Sequence, residues 1–216
     1  MIVDERLVTY INSLDTGNTS ILDQIEQEAL DSYVPIIRKE MQQFLKLLLA
    51  MKRPMRILEV GTAVGFSAIL MAEYDPVPCE ITTIENYEKR IPIAKENFIR
   101  AGKEKQIMLL EGDAAQILPT LTETYDFIFM DAAKGQYIHF LDDVLRLLAP
   151  EGVLVSDNVL QDGDVARSRY AIERRDRTIH KRMRDYLYTI KNHPQLETTI
   201  LPVGLSLIHI SEPTRP

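Results

Sequence analysis

Residues 56 onward predict an α/β fold with a mostly parallel sheet covered by helices on both faces. Three observations carry this. Short apolar segments at 56–60, 80–85, 106–110, 125–130 and 152–156 alternate with amphipathic ones near 65–74, 87–101, 114–120, 136–148 and 168–191, and strands alternating with helices feed parallel neighbours. The first strand runs through Gly61 and Gly65 into an apolar segment beginning at Phe66. Polar, ligand-type residues gather where successive strands end, which is where open α/β sheets bind ligands.

Before that sheet the chain predicts three helices. Residues 3–13 place Val3, Leu7, Tyr10 and Ile11 on one face. Thr19 or Ser20 caps a second helix, Ile21 to Tyr33, and Pro35 opens a third that carries Ile36, Ile37, Met41, Phe44, Leu45, Leu48 and Leu49. These helices cover the ligand, pack on the sheet edge or form a dimer contact. Glu197 to Val203 reads as a sixth strand. With 216 residues and no internal repeat, one domain is expected: helices over 1–55, a core over 56–204 and a tail over 205–216.

The first strand and its turn read Glu59-Val-Gly-Thr-Ala-Val-Gly-Phe-Ser67. Such a turn lets backbone approach a ligand closely, and the free N–H groups of the following helix meet its polar end. The spacing differs from the Gly-x-Gly-x-x-Gly dinucleotide pattern. Glu85 closes the second strand, where a carboxylate accepts from two ribose hydroxyls; a helix-capping Glu is the plainer alternative. The third strand ends in Glu111-Gly112-Asp113-Ala114.

Composition narrows the chemistry. A single Cys79 removes an intramolecular disulfide and a cysteine zinc site, and with four scattered His any metal is left to oxygen ligands. No apolar run reaches the ~18 residues of a membrane span, and no signal peptide is evident, so a cytoplasmic protein without a membrane partner is expected. The net charge of −7 argues against a generally basic coat. Residues 165–184 depart from that average, with eight Arg and Lys against Glu173 and Asp176, a local +6. This is a solvated face or a surface for an anionic partner.

The fourth strand ends in Asp131-Ala-Ala-Lys134 and the fifth in Asp157-Asn158. If the two are neighbours, two carboxylates and an amide oxygen converge at the carboxyl edge, a hard oxygen set suited to Mg²⁺. Taken singly, Asp131 is also a loop cap and Asp157-Asn158 a turn.

With these stretches together, the sequence from about Val34 to Gly204 resembles the metal-dependent, catechol-type O-methyltransferases that use S-adenosylmethionine (SAM). The resemblance implies a Rossmann-like class I methyltransferase sheet of seven strands, a homodimer, and Mg²⁺ or Mn²⁺ beside SAM. It assigns cofactor contacts to Ile37, Glu59, Gly61, Ser67, Glu85, Gly112, Asp113, Ala114 and Asp131. It gives the metal to Asp131, Asp157 and Asn158, and makes Lys134, with Asp131, the catalytic group. Within the class the chain looks most like bacterial enzymes that methylate 5-hydroxyuridine at the tRNA wobble position. That likeness rests on Asp131-Ala-Ala-Lys-Gly-Gln-Tyr137 and the Arg-rich helix after Asp157-Asn158-Val-Leu160. It implies a tRNA anticodon arm as partner, held by Arg174, Arg175 and Arg177. A small catechol or phenol is the alternative acceptor, and a SAM-binding RNA module without turnover the alternative of another class. Catechol and 5-hydroxyuracil each offer two adjacent oxygens for chelation, so the chemistry suits both.

One departure follows Leu201-Pro-Val-Gly204. The family places Asp-Gly and a last antiparallel strand there, whereas this chain continues Leu-Ser-Leu-Ile-His-Ile-Ser-Glu-Pro-Thr-Arg-Pro. Without the Asp-Gly hairpin signal, the last strand is left open.

Overall fold

The computed structural model describes residues 4–203 and 206–213. Helices α1 (Glu5–Ser13), α2 (Ser20–Asp31) and α3 (Lys39–Lys52) precede β1 (Arg56–Val60). The alternation then runs α4 (Phe66–Tyr74), β2 (Glu80–Glu85), α5 (Ile91–Arg100), β3 (Ile107–Glu111), α6 (Ala114–Ile117), β4 (Tyr125–Met130), α7 (Tyr137–Leu147) and β5 (Leu148–Ser156). Helix α8 (Arg177–Lys191), β6 (Leu196–Val203) and β7 (Ser206–Pro213) close the chain.

The seven strands lie in the order β3-β2-β1-β4-β5-β7-β6. β1 pairs in parallel with both β2 and β4, and β4 with β5, while β7 runs antiparallel between β5 and β6. The direction of progression reverses between β1 and β4, the point at which such sheets bind ligands. Register makes the strand ends coincide: Val60 pairs with Ile84 and Met130, Met130 with Ser156, and Glu85 with Glu111. The residues just beyond them, Gly61, Gly112, Asp131 and Asp157, therefore form one edge.

Burial on both faces explains the apolar strands. On one face Ile57, Phe127, Phe129 and Val155 pack with α3, α4 and α5 through Leu45, Leu49, Phe66, Ile69 and Phe98, and Leu22 and Ile25 of α2 join them. On the other, Leu58, Ile128, Met130 and Leu154 meet Phe140, Val144, Met183 and Tyr186 of α7 and α8. Helices α2 and α3 thus complete the core.

Several boundaries differ from the sequence expectation. α3 starts at Lys39, not at Pro35, and Pro35–Arg38 is an extended strap. The buried Gln42 explains it, because its Nε2 donates to the Ile37 carbonyl at 3.1 Å and to Glu26 Oε1 at 3.0 Å, replacing helical bonds. Pro119 breaks the predicted 114–120 helix into α6 and a 3-10 turn. β5 begins at Leu148 rather than 152, with a register shift opposite Tyr125 and Phe127. The predicted Arg-rich helix 168–191 starts only at Arg177, after 3-10 turns at Gln161–Ala166 and Arg169–Ala171. Ser168 caps the second turn, accepting from the Tyr170 N–H, and Arg177 Nε donates to the Ile172 carbonyl, so the chain turns before it coils. The segment after Gly204 does supply the seventh strand. Leu207-Ile208-His209-Ile210 has the β-favouring composition, and only residues 204 and 205, outside the described set, separate β7 from β6.

Candidate active site

The carboxyl edge of the sheet opens into a cavity of about 710 Å³. Gly61 to Ala63, Glu85 to Tyr87, Gly112 to Ala114, Asp131 to Lys134, Asp157 and Asn158 line it, and the Pro35–Arg38 strap forms its roof.

At the β1 end the backbone bends sharply. Gly61 has φ +102°, and a Cβ there would lie 2.9 Å from the carbonyl carbon of Asp131 and closer still to its oxygen. Only glycine lets the two backbones pass, since L side chains avoid that conformation. Gly65, φ +86°, meets the Phe98 ring in the same way and starts α4. The Glu85 carboxylate is pinned by three backbone N–H groups, Ala63 at 2.7 Å, Asn86 at 3.0 Å and Tyr87 at 2.8 Å. A carboxylate has about four lone-pair positions, so accepting two ribose hydroxyls requires one backbone donor to be exchanged. Asp113 caps α6, accepting from the Ala115 N–H at 2.9 Å, while Gly112 to Ala114 line the cavity.

Of the residues expected to contact the cofactor, Ile37, Gly61, Ser67, Glu85, Gly112, Asp113, Ala114 and Asp131 line this cavity and Glu59 does not. It is fully buried behind the turn, in hydrogen-bond contact with Thr62, Ser67 and Thr83. Its position as the penultimate residue of β1 points its side chain into the sheet–helix interior. Of its three hydroxyl partners, Ser67 and Thr62 line the cavity.

At the β4–β5 end, Asp131, Asp157, Asn158 and Lys134 come together. The Asp131 N–H donates to the Val60 carbonyl at 3.0 Å and the Asp157 N–H to the Met130 carbonyl at 2.9 Å, which extends the ladder just past the strands. Both carboxyls are held above the usual range. Burial is the main cause for each; the Asp157 charge raises Asp131 further, and Lys134 pulls both back. Asn158, at φ +59°, donates its N–H to Asp157 Oδ1 at 2.8 Å. Among the described residues no three His, Cys, Asp or Glu side chains gather as a metal group, so the oxygen set is two carboxylates and one amide. Asn158 Nδ2 also donates to Asp157 Oδ2 at 3.2 Å; with that amide turned over, two mutually repelling acids and an amide oxygen fit a hard divalent cation, which would relieve the repulsion.

Tyr137 carried no role in the sequence reading. It is fully buried, and its hydroxyl lies 3.0 Å from the Met130 carbonyl and 3.1 Å from that of Asp157, tying the ends of β4 and β5 together. Its ring meets Tyr186 edge-on at 5.6 Å, and the Tyr186 hydroxyl lies 2.6 Å from Ser156 Oγ. An aromatic six residues after Asp131, opening a helix, was the available signal.

Arg174, Arg175 and Arg177 lie outside the cavity lining. Arg175 pairs with Glu173 at 3.0 Å and Asp176 at 3.4 Å. The basic segment reaches the site elsewhere: Arg182 Nη1 donates at 3.2 Å to the carbonyl of Gly135, next to Lys134.

The O-methyltransferase family model matches residues 12–211. The chain belongs to the O-methyltransferase family. This methyltransferase is 39% identical over 127 residues to the catechol O-methyltransferase of Niastella koreensis, covering 57% of the chain and 58% of that protein's length. It is 31% identical over 176 residues to caffeoyl-CoA O-methyltransferase 2 of Populus trichocarpa, covering 75% of the chain and 68% of the relative. Its fold is similar to that of the Bacillus cereus O-methyltransferase solved with SAH, with a TM-score of 0.82 and 26% identity over 94% of this chain and 96% of that one. Among the described residues no helix is long and apolar enough to cross a membrane.

Proposed function

We propose that this O-methyltransferase moves the methyl group of SAM to one of two adjacent oxygens on a small catechol-type acceptor. The observation that carries the reading is the single cavity with Glu85 and the glycine turn at one end and Asp131, Asp157, Asn158 and Lys134 at the other. The catechol and caffeoyl-CoA enzymes among its relatives, and the SAH-bound Bacillus cereus fold, support it. Glu85 takes the ribose, the peptide groups of Gly61 to Ala63 pass close to the amino-acid end, and Asp113-Ala114 flank the base. Ile37 on the strap closes over the cofactor and excludes water.

Asp131, Asp157 and Asn158 would hold Mg²⁺ or Mn²⁺. Such an ion, when bound, lowers the pKa of an acceptor hydroxyl and fixes its direction. Lys134 stands beside both carboxylates and takes the departing hydroxyl proton or balances the oxyanion. Displacement at the sulfonium methyl then depends on alignment, which the fixed strand ends supply. Methylation of catechol in the presence of Mg²⁺, lost in Asp157→Ala while SAM binding persists, is the test.

A second reading, the wobble 5-hydroxyuridine of tRNA, is favoured by the Arg182 contact, which sets the basic segment against the Lys134 loop. An anticodon arm needs such a surface to hold its phosphates. The exposed apolar residues Leu7, Tyr10 and Ile11 of α1, with Leu14 at its C-cap, support a homodimer formed through the N-terminal helices.

A further inference from the structure

Behind the glycine turn, three oxygens close a triangle. Thr62 Oγ1 lies 2.6 Å from Glu59 Oε2, Thr83 Oγ1 touches the same Oε2, and the two hydroxyl oxygens lie 2.6 Å apart. Ser67 Oγ meets the other carboxyl oxygen, Oε1. The triangle has three hydrogen-bonded edges, but two hydroxyls own only two protons. An ionised carboxylate brings none, and one edge would then press lone pair against lone pair. A carboxyl proton completes the set. Oε2–H donates to Thr83, Thr83 to Thr62, and Thr62 back to Oε2, while Ser67 donates to Oε1.

We propose that Glu59 is held as the neutral acid in the cofactor-free protein and is the positioning residue that turns Ser67 and Thr62 into acceptors toward the cavity. The surroundings agree. Glu59 is fully buried, and the charged groups facing it are Glu85 beyond β2 and Asp131 beyond β4, both anions, with Lys134 acting on Asp131. Burial pushes the Glu59 carboxyl up, the hydroxyl bonds from Ser67, Thr62 and Thr83 pull it part of the way back, and the Glu85 charge adds a smaller rise. Ser67 and Thr62 both line the cavity. With their protons spent inward, they offer only lone pairs to a ligand, which suits an end bearing N–H donors such as the ammonium of SAM. That last consequence rests on the cofactor reading above, whereas the protonation state rests on the triangle alone.

Infrared difference spectra of ligand-free wild type and Glu59→Gln test the proton directly. Wild type should show a protonated-carboxyl carbonyl band that the variant lacks. Denaturant unfolding from pH 5 to 8 gives a second readout. The native state retains a proton that the unfolded chain releases, so wild-type stability falls with rising pH more steeply than that of Glu59→Gln, by up to one proton in slope. SAH titration supplies the third. Glu59→Ala should lose about tenfold in affinity, and Glu59→Gln, which still accepts from Ser67, should recover to within about threefold of wild type. A wild-type spectrum without the band, an unchanged pH slope, or a Gln variant as weak as Ala overturns the proposal. Failure of wild type to bind SAH at all sinks the cofactor reading instead and leaves the first two readouts standing.

Discussion

The hydroxyl of Tyr137 sits 3.1 Å from the backbone carbonyl of Asp157, and so the first residue of α7 braces a candidate metal ligand at the end of β5. The same hydroxyl lies 3.0 Å from the Met130 carbonyl, one residue before Asp131. Its single proton serves two buried acceptors. Tyr137→Phe should therefore cost about 1–3 kcal/mol of stability by taking the hydroxyl from the buried Asp157 carbonyl, whereas the Met130 carbonyl keeps the Asp157 N–H. Urea unfolding measures the loss. Because Tyr137 braces the acid end alone, kcat should fall while SAM affinity stays near that of wild type.

At the cofactor end, Gly61→Ala should abolish SAM binding, because the new Cβ meets the Asp131 carbonyl at a φ of +102°. Glu85→Ala should weaken it by about 1.5–3 kcal/mol, roughly ten- to a hundred-fold, through loss of charge-assisted bonds. Calorimetry reads both, and unchanged affinity in Glu85→Ala would defeat the ribose assignment.

The acid end predicts a pH signature. Burial pushes Asp157 up to about 6, and Asp131 is raised as well. A raised carboxyl contributes stability that is full below its unfolded value and is lost as pH rises through the folded value. In EDTA the protein should therefore lose stability between pH 4 and about 7. Mg²⁺ must displace those protons, so its affinity and its stabilising effect should grow over the same interval. Thermal melts with and without Mg²⁺ at pH 5 and pH 8 check this; an equal Mg²⁺ shift at both would contradict it.

The basic segment separates the two acceptors. Replacing Arg174, Arg175 and Arg177 together by Ala removes two exposed charges worth little to the fold and, at Arg177, a bond to the Ile172 carbonyl worth about 1 kcal/mol. Catechol methylation should be unaffected. If tRNA is the acceptor, its binding should weaken and lose salt dependence, because fewer counterions are released. Filter binding over a salt series measures both properties, and identical curves make this segment a solvated face.

Much of this was legible in the sequence because parallel strands are apolar along their length and the ligand-facing residues fall just past their ends. Gly61, Glu85, Asp131 and Asp157 were found by that rule. That Glu59 lies behind the cavity lining was not legible, because a motif fixes sequence spacing, not side-chain direction. Gln42 went unnoticed, and Tyr137 was quoted only as the end of a resembling stretch, because a buried amide or phenol acts on distant backbone, on the Ile37 carbonyl in one case and on Met130 and Asp157 in the other. The helix at 168–191 was overextended because charge composition continues through the turns at Gln161–Ala166 and Arg169–Ala171, where local caps decide.

The central claim is methyl transfer to one of two adjacent oxygens at the Asp131–Asp157–Asn158 end of the cavity. Mass spectrometry of catechol incubated with the protein, methyl-labelled SAM and Mg²⁺ tests it most directly. Labelled monomethyl catechol should form with wild type, cease with EDTA, return with added Mg²⁺, and be absent with Asp157→Ala, which still binds SAM. Product formation at the untreated wild-type level by thoroughly chelated wild type or by Asp157→Ala would contradict the account.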